Sequence, residues 1–255
     1  MQRITARDNP LLVRLRRLGQ DGAAYRRVGQ VWLEGEHLGL ALRQRDVAAA
    51  YAVLSDSGAA QPHLLALAEH AHKVVVISDA LFASISTLET PVAIGFVLDT
   101  PTPPALVTDV NTVVLDRVQD PGNVGSIMRS AAAFDVVQVL ALKGTVALWS
   151  PKVLRAGMGA HLRLRLIEGL DPKALEGLTL PLLATSSHAG DALPQAALPS
   201  PCAWVFGHEG QGVAAGLLAR CSRQLRIPQP GGEESLNVAA AAAVCLYESA
   251  RQRPQ

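Results

Sequence analysis

Three stretches of this chain set polar side chains beside glycine turns, where they could act on a ligand: 116–129, 207–212 and 228–237. The last is the most informative. Arg226-Ile-Pro228 closes a short apolar run. Pro230-Gly231-Gly232 forces a turn, because proline fixes φ and glycine permits positive φ. Ser235 and Asn237 then precede an alanine-rich run of high helix propensity. Strand, glycine turn and helix N-terminus together present backbone N–H groups to a ligand. Taken singly, Ser235 reads as a turn residue and Asn237 as an N-cap. The middle stretch, Gly207-His-Glu-Gly-Gln-Gly212, carries a single carboxylate, Glu209, and does not match G-x-G-x-x-G. No G-x-x-x-x-G-K-[ST] occurs, so a P-loop is unsupported. His161 and His208 are isolated, and Cys202, Cys221 and Cys245 lack metal spacing, so no metal is expected.

Ligands of open α/β sheets bind beyond the carboxyl ends of strands, so these stretches need strands in front of them and helices behind. The pattern supplies both. Strands are predicted at 112–115, 136–142, 162–167, 180–185, 203–206 and 222–227, and helices at 126–134, 151–157, 213–219 and 237–250. Asp120-Pro-Gly-Asn-Val-Gly125 reads as a turn. A parallel sheet covered by helices on both faces follows for 111–255. Asp99-Thr-Pro-Thr-Pro-Pro104 is too proline-rich for a helix or a central strand, so 99–110 is a stiff linker. Before it, 1–98 alternates strands (31–33, 51–54, 74–77, 93–98) with helices (9–28, 37–44, 62–71, 80–86), the pattern of a small α/β domain.

Composition bounds the partners. The chain has 255 residues, 49% hydrophobic and 18% charged, which excludes a disordered protein. Its net charge of +1 is unevenly placed: residues 1–30 hold seven arginines against Asp8 and Asp21. Such a segment is either a solvated helix face or an electrostatic footprint for phosphate backbones. An odd, sparse cysteine count fits a reducing compartment. The N-terminus lacks the apolar core of a secretory signal, and no run approaches the roughly 20 apolar residues of a membrane span. A cytoplasmic protein is expected.

Together the three stretches are specific. Asp116-Arg-Val-Gln-Asp-Pro-Gly-Asn-Val-Gly-Ser-Ile-Met-Arg129, Val205-Phe-Gly-His-Glu-Gly-Gln-Gly-Val213 and Ile227-Pro-Gln-Pro-Gly-Gly-Glu-Glu-Ser-Leu-Asn-Val238 occur in this order, with Ser150-Pro-Lys-Val-Leu-Arg-Ala-Gly-Met-Gly-Ala160 between the first two. Here the chain resembles the SPOUT RNA methyltransferases, in the SpoU/TrmH branch that methylates ribose 2′-hydroxyls. The resemblance covers 111–250. Residues 1–98 are more loosely similar to the family's substrate-binding domain, which folds like a small ribosomal protein. Gln229 and Ala239 depart from the family pattern at positions to which it assigns no catalysis.

The resemblance implies a SPOUT domain with a parallel sheet and a trefoil knot, a homodimer, S-adenosylmethionine as methyl donor and RNA as substrate, rRNA before tRNA. It places Asn123, Arg129, Glu209, Ser235 and Asn237 at the reacting groups, with Asn123 in the turn and Arg129 on the following helix. It places Thr185, Gly207, Gly212, Ile227 and Leu236 at the cofactor. Arg129 suits stabilisation of a developing oxyanion or orientation of a phosphate better than proton abstraction, because a guanidinium stays protonated. Glu209 would orient Asn123 or Arg129. Arg155 would reach RNA or the partner's site, or only solvate a helix. Two alternatives stand beside the ribose methyltransferase: a lapsed RNA-binding protein of the same fold, and a SPOUT base methyltransferase. The joint presence of the five polar residues argues against the first. The Asn123/Arg129 pair argues against the second.

Overall fold

A computed structural model describes residues 1–186, 190–231 and 235–253. Gly232 of the expected turn, with Glu233 and Glu234, lies outside them. The chain begins β1 (Gln2–Arg3), α1 (Pro10–Gln20), α2 (Ala24–Val28), β2 (Gln30–Glu34), α3 (Glu36–Gln44) and β3 (Tyr51–Ser55). It continues α4 (Asp56–Ala59), α5 (Pro62–Ala68), β4 (Val74–Ile77), α6 (Asp79–Ile85) and β5 (Ile94–Asp99). Then come β6 (Thr112–Asp116), α7 (Pro121–Ala133), β7 (Gln138–Leu142), α8 (Pro151–Gly157), β8 (Arg165–Leu170) and β9 (Leu182–Thr185). The last elements are β10 (Asp191–Ala192), β11 (Ala203–Gly207), α9 (Ala215–Leu218), β12 (Arg223–Arg226) and α10 (Val238–Gln252). They form two compact units, Met1–Thr102 with Trp149–Leu162, and Pro103–Leu148 with Arg163–Gln255.

In the first unit the sheet order is β1-β4-β3-β5-β2, with β5 antiparallel to both its neighbours and the other pairs parallel. The basic N-terminal segment splits into α1 and α2. Leu11, Leu12, Leu15 and Leu18 form the buried stripe of α1, and Asn9 caps it by accepting from the Leu11 N–H at 2.9 Å. α8 belongs to this unit, although sequence order sets it between β7 and β8. Its Val153 and Leu154 are buried, and it packs on β2 and α1. Arg155 is thereby fixed: its Nη1 donates to Thr87 Oγ1 at 2.7 Å. Thr87 and Ser86 in turn donate to the buried carboxylate of Glu34, through Thr87 N at 2.9 Å, Thr87 Oγ1 at 3.0 Å and the Ser86 hydroxyl.

The second unit holds a seven-stranded sheet in the order β10-β12-β9-β11-β6-β7-β8, parallel throughout. The α/β class and the parallel sheet expected from sequence are both present. One face is closed by an aliphatic cluster that includes Val114, Leu140, Ile167, Leu182, Val205 and Leu217. On α10, Ser249 accepts from Trp204 Nε1 of β11 at 2.8 Å, which satisfies the one polar atom of a fully buried indole. α10 also packs along α7. The chain steps from β6 out to β7 and β8, then returns to build β9–β12 on the other side of β6. The switch lies between β6 and β11, and the crevice at such a point is where open α/β sheets bind ligands.

Candidate functional site

Asp116 ends β6 and faces Gly207 at the end of β11 in register. Arg117 follows with φ +61°, a left-handed conformation unusual for a residue with a side chain. Four residues later, at Pro121, the chain enters α7. Asp120 caps that helix by accepting from the Asn123 N–H at 2.8 Å, and Pro121 takes its first position, where a missing N–H goes unnoticed. This corrects the expected turn at 120–125. A cap followed by proline starts the helix five residues before Ser126 despite Gly122 and Gly125, and Asn123 stands in its first turn. Arg129 lies on the same helix, its side chain exposed and without a hydrogen bond or ion pair to any described residue. Six helical residues advance about 9 Å and turn about 120° from alignment, so Asn123 and Arg129 do not face one another on the helix surface.

The second loop is closed on itself. His208 N–H donates to the Gly212 carbonyl at 3.1 Å and Gly212 N–H to the His208 carbonyl at 2.8 Å. His208 Nδ1 accepts from the N–H groups of Gly210 at 3.0 Å and Gln211 at 3.3 Å. Only glycine fits at 207, since a Cβ there would lie 2.2 Å from the Gly212 carbonyl carbon and the Val213 nitrogen. Gly212 has φ +67°, the conformation that glycine adopts freely.

Glu209 joins this loop to the first stretch. Its carboxylate accepts from Gln119 N at 3.3 Å, Asp120 N at 3.0 Å and Asn123 Nδ2 at 3.1 Å. Partial burial disfavours the charge, but the bonds from Asn123 and the backbone N–H groups outweigh it and hold the group below the usual carboxylate range. A carboxylate cannot donate, so Asn123 must turn its NH₂ toward Glu209 and its carbonyl away. That carbonyl oxygen accepts from Asn237 Nδ2 at 2.9 Å. Asn237 is left with its own oxygen toward α10, where it accepts from Ala239 N at 2.8 Å and Ala240 N at 3.3 Å. One directed relay, Glu209–Asn123–Asn237–helix α10, therefore connects all three stretches.

The relay borders a cleft of about 540 Å³, within the roughly 300–1,000 Å³ of small-molecule sites. Thr185, Gly207, Glu209, Gly212, Ile227, Ser235, Leu236 and Asn237 all line it. Asn123 reaches it through Asn237, and Arg129 is absent from its lining. Sequence reasoning passed over Ser186, His208, Gln211, Val213, Gln229 and Ala241, which also line it. Their only signal is adjacency to the residues that were singled out. Asp116 was passed over too: buried at the strand end, its Oδ2 accepts from Ala214 N at 2.7 Å and holds the far end of the second loop. Among the described residues no group of three or more His, Cys, Asp or Glu could hold a metal, and no helix is long and apolar enough to cross a membrane.

Residues 111–247 match the SpoU rRNA Methylase family, a span of more than half the chain. The chain belongs to this family, and with it to the RNA methyltransferases. It is 34% identical to an uncharacterized tRNA/rRNA methyltransferase of Synechocystis sp., over 98% of this chain and 94% of that one. A 23S rRNA (guanosine-2′-O)-methyltransferase of Bacillus subtilis is 31% identical over 68% of this chain and 70% of its own length. A crystal structure of an RNA 2′-O ribose methyltransferase superposes with a TM-score of 0.82 at 29% identity, covering 98% of this chain and 99% of that one. The cleft fits the methylase's donor, S-adenosylmethionine. Ile227, Leu236 and Val213 give the cleft lining apolar side chains, and the glycine-rich loop lets backbone approach closely.

Proposed function

We propose that this protein transfers a methyl group from S-adenosylmethionine to a ribose 2′-hydroxyl of ribosomal RNA. The observation that carries the reading is the Glu209–Asn123–Asn237 relay at the mouth of the cleft. S-adenosylmethionine supplies an electrophilic methyl on a sulfur that leaves uncharged, so the protein has to manage only the nucleophile. Thr185, Gly207, Gly212, Ile227 and Leu236 hold the cofactor. Glu209, kept ionised by its donors, is a poor proton acceptor and serves to orient Asn123. Asn123 and Asn237 each retain a second amide N–H beyond the relay, and with the Ser235 hydroxyl these can fix the ribose oxygen. Arg129, free of any described partner, is available to stabilise the charge that develops on that oxygen.

The finer features follow the family. The C-terminal segment forms a trefoil knot, which the packing of α10 on both α7 and β11 supports. The protein is a cytoplasmic homodimer. Exposed Val244 and Tyr247 on α10 support the dimer, with Phe134 set edge-on to Tyr247 at 5.9 Å between ring centroids. They offer an apolar surface on the helix pair that carries Arg129. The first unit binds RNA. Arg14 and Lys73 both lie over its Tyr51 ring, 5.8 Å and 5.5 Å from the centroid, a cationic and aromatic grouping suited to phosphates and bases. The B. subtilis relative favours rRNA over tRNA as the substrate.

Incubation with tritium-labelled S-adenosylmethionine and total RNA lacking native methylation tests the substrate class. Label is expected in the large rRNA fractions. Label confined to tRNA would overturn the ribosomal assignment.

A further inference from the structure

Arg117 is the one residue of the first stretch whose backbone is left-handed and whose side chain leaves that stretch for the second. Its N–H is held by Thr145 Oγ1 at 3.0 Å, and that hydroxyl donates to the Leu115 carbonyl at 2.9 Å. From this position the guanidinium forks. Nε and Nη2 donate to Asp116 Oδ1 and Oδ2 at 3.1 and 3.2 Å. Nη1 donates to Gln211 Oε1 at 2.9 Å, and Nη2 also reaches the Gly212 carbonyl at 3.3 Å. Arg117 does not line the cleft, whereas Gln211 and Gly212 do. The planar fork of arginine makes both sets of bonds at once, which a lysine ammonium cannot reproduce.

We propose that Arg117 is a positioning residue that sets residues 211–212 of the second loop for cofactor binding; this rests on the reading of the cleft as the S-adenosylmethionine site. Glu209 and Ala214 tie the loop to the first stretch on either side of residues 211–212. Those two residues are held within the loop by His208, and Arg117 ties them to the first stretch. A mere neutraliser of Asp116 would need a charge there and nothing more. A residue that tolerates a left-handed backbone is also the one place in the stretch where glycine can replace the side chain and relieve the conformation.

The test is calorimetric titration of S-adenosylhomocysteine into wild type, Arg117→Gly and Arg117→Lys, with melting temperatures taken in parallel. Arg117→Gly is expected to melt within about 3 °C of wild type, because the relieved backbone offsets the lost ion pair. Its Kd is expected to rise about tenfold, as loss of the two loop bonds implies. Arg117→Lys keeps the charge beside Asp116 and the fold with it, and its Kd is expected to stay raised about fivefold. In steady state both variants should show the loss in KM for the donor, with kcat changed less. Wild-type Kd in Arg117→Lys would overturn the proposal, since charge alone would then suffice. Weakened binding only in proportion to a collapsed melting temperature would likewise reduce Arg117 to a structural ion pair. Failure of wild type to bind the probe would overturn the reading of the cleft itself.

Discussion

The molecule holds two glutamates built alike and placed differently. Glu34 in the first unit collects one backbone N–H and two hydroxyls, and Glu209 in the second collects two backbone N–H groups and one side-chain amide. Glu34 is buried, and its chain of bonds runs through Thr87 to the half-buried Arg155 guanidinium, outside the cleft lining. Glu209 is exposed, and its chain ends at a cleft, through two amides that keep unused N–H groups. Donor saturation is therefore no mark of function by itself. What separates the two is whether the relay closes within the fold or opens on a space that a ligand can fill.

The largest effect is expected beyond the open end of the relay. Arg129→Ala should lower transfer about 10³-fold while S-adenosylhomocysteine affinity stays within a few-fold, because Arg129 acts on the nucleophile and not on the cofactor. Parallel binding and transfer assays check this, and a large loss of affinity would contradict it. Glu209→Ala should lower transfer about 10²-fold by releasing Asn123, with stability changed by less than about 1 kcal/mol at this exposed site. Glu34→Ala should do the reverse. It leaves buried hydroxyl and N–H donors unpaired, which costs about 2–4 kcal/mol in denaturant unfolding, while transfer per folded molecule is retained. Equal stability losses in the two variants would erase the comparison.

Smaller effects sharpen it. Asn237→Ala removes the α10 cap, worth about 1 kcal/mol, and should also reduce transfer by freeing the Asn123 carbonyl. The pH dependence of Glu209 has a definite sign. Its folded-state pKa is depressed, so its contribution is complete above the ordinary carboxylate range and fades only as pH falls through the lowered value. Transfer should show no loss from Glu209 between neutral and mildly acidic pH; a decline there that disappears in Glu209→Gln would contradict the assignment.

Much of the cleft was legible because glycine and helix-start residues announce strand-end loops, while the site roles of Gly207, Gly212, Ser235 and Asn237 came only from the joint resemblance of the three stretches. The start of α7 was not, since Gly122 and Gly125 argue for a turn while a capping Asp120 and Pro121 decide for a helix. Nor was Arg117, because nothing local marks an arginine as left-handed; its conformation is held by Thr145, 28 residues away. Sequence order also hid the placement of α8. Its apolar Val153 and Leu154 are satisfied by β2 and α1, so removal of 1–98 would strand a helix that sequence alone assigns to the second domain.

The most direct test of the ribose assignment is mass spectrometry of nucleosides from rRNA methylated in vitro by this protein with a deuterated methyl donor. Label is expected in one 2′-O-methylated nucleoside and lost in Arg129→Ala. Label on a base, or cofactor binding with no transfer to any ribose, would contradict it.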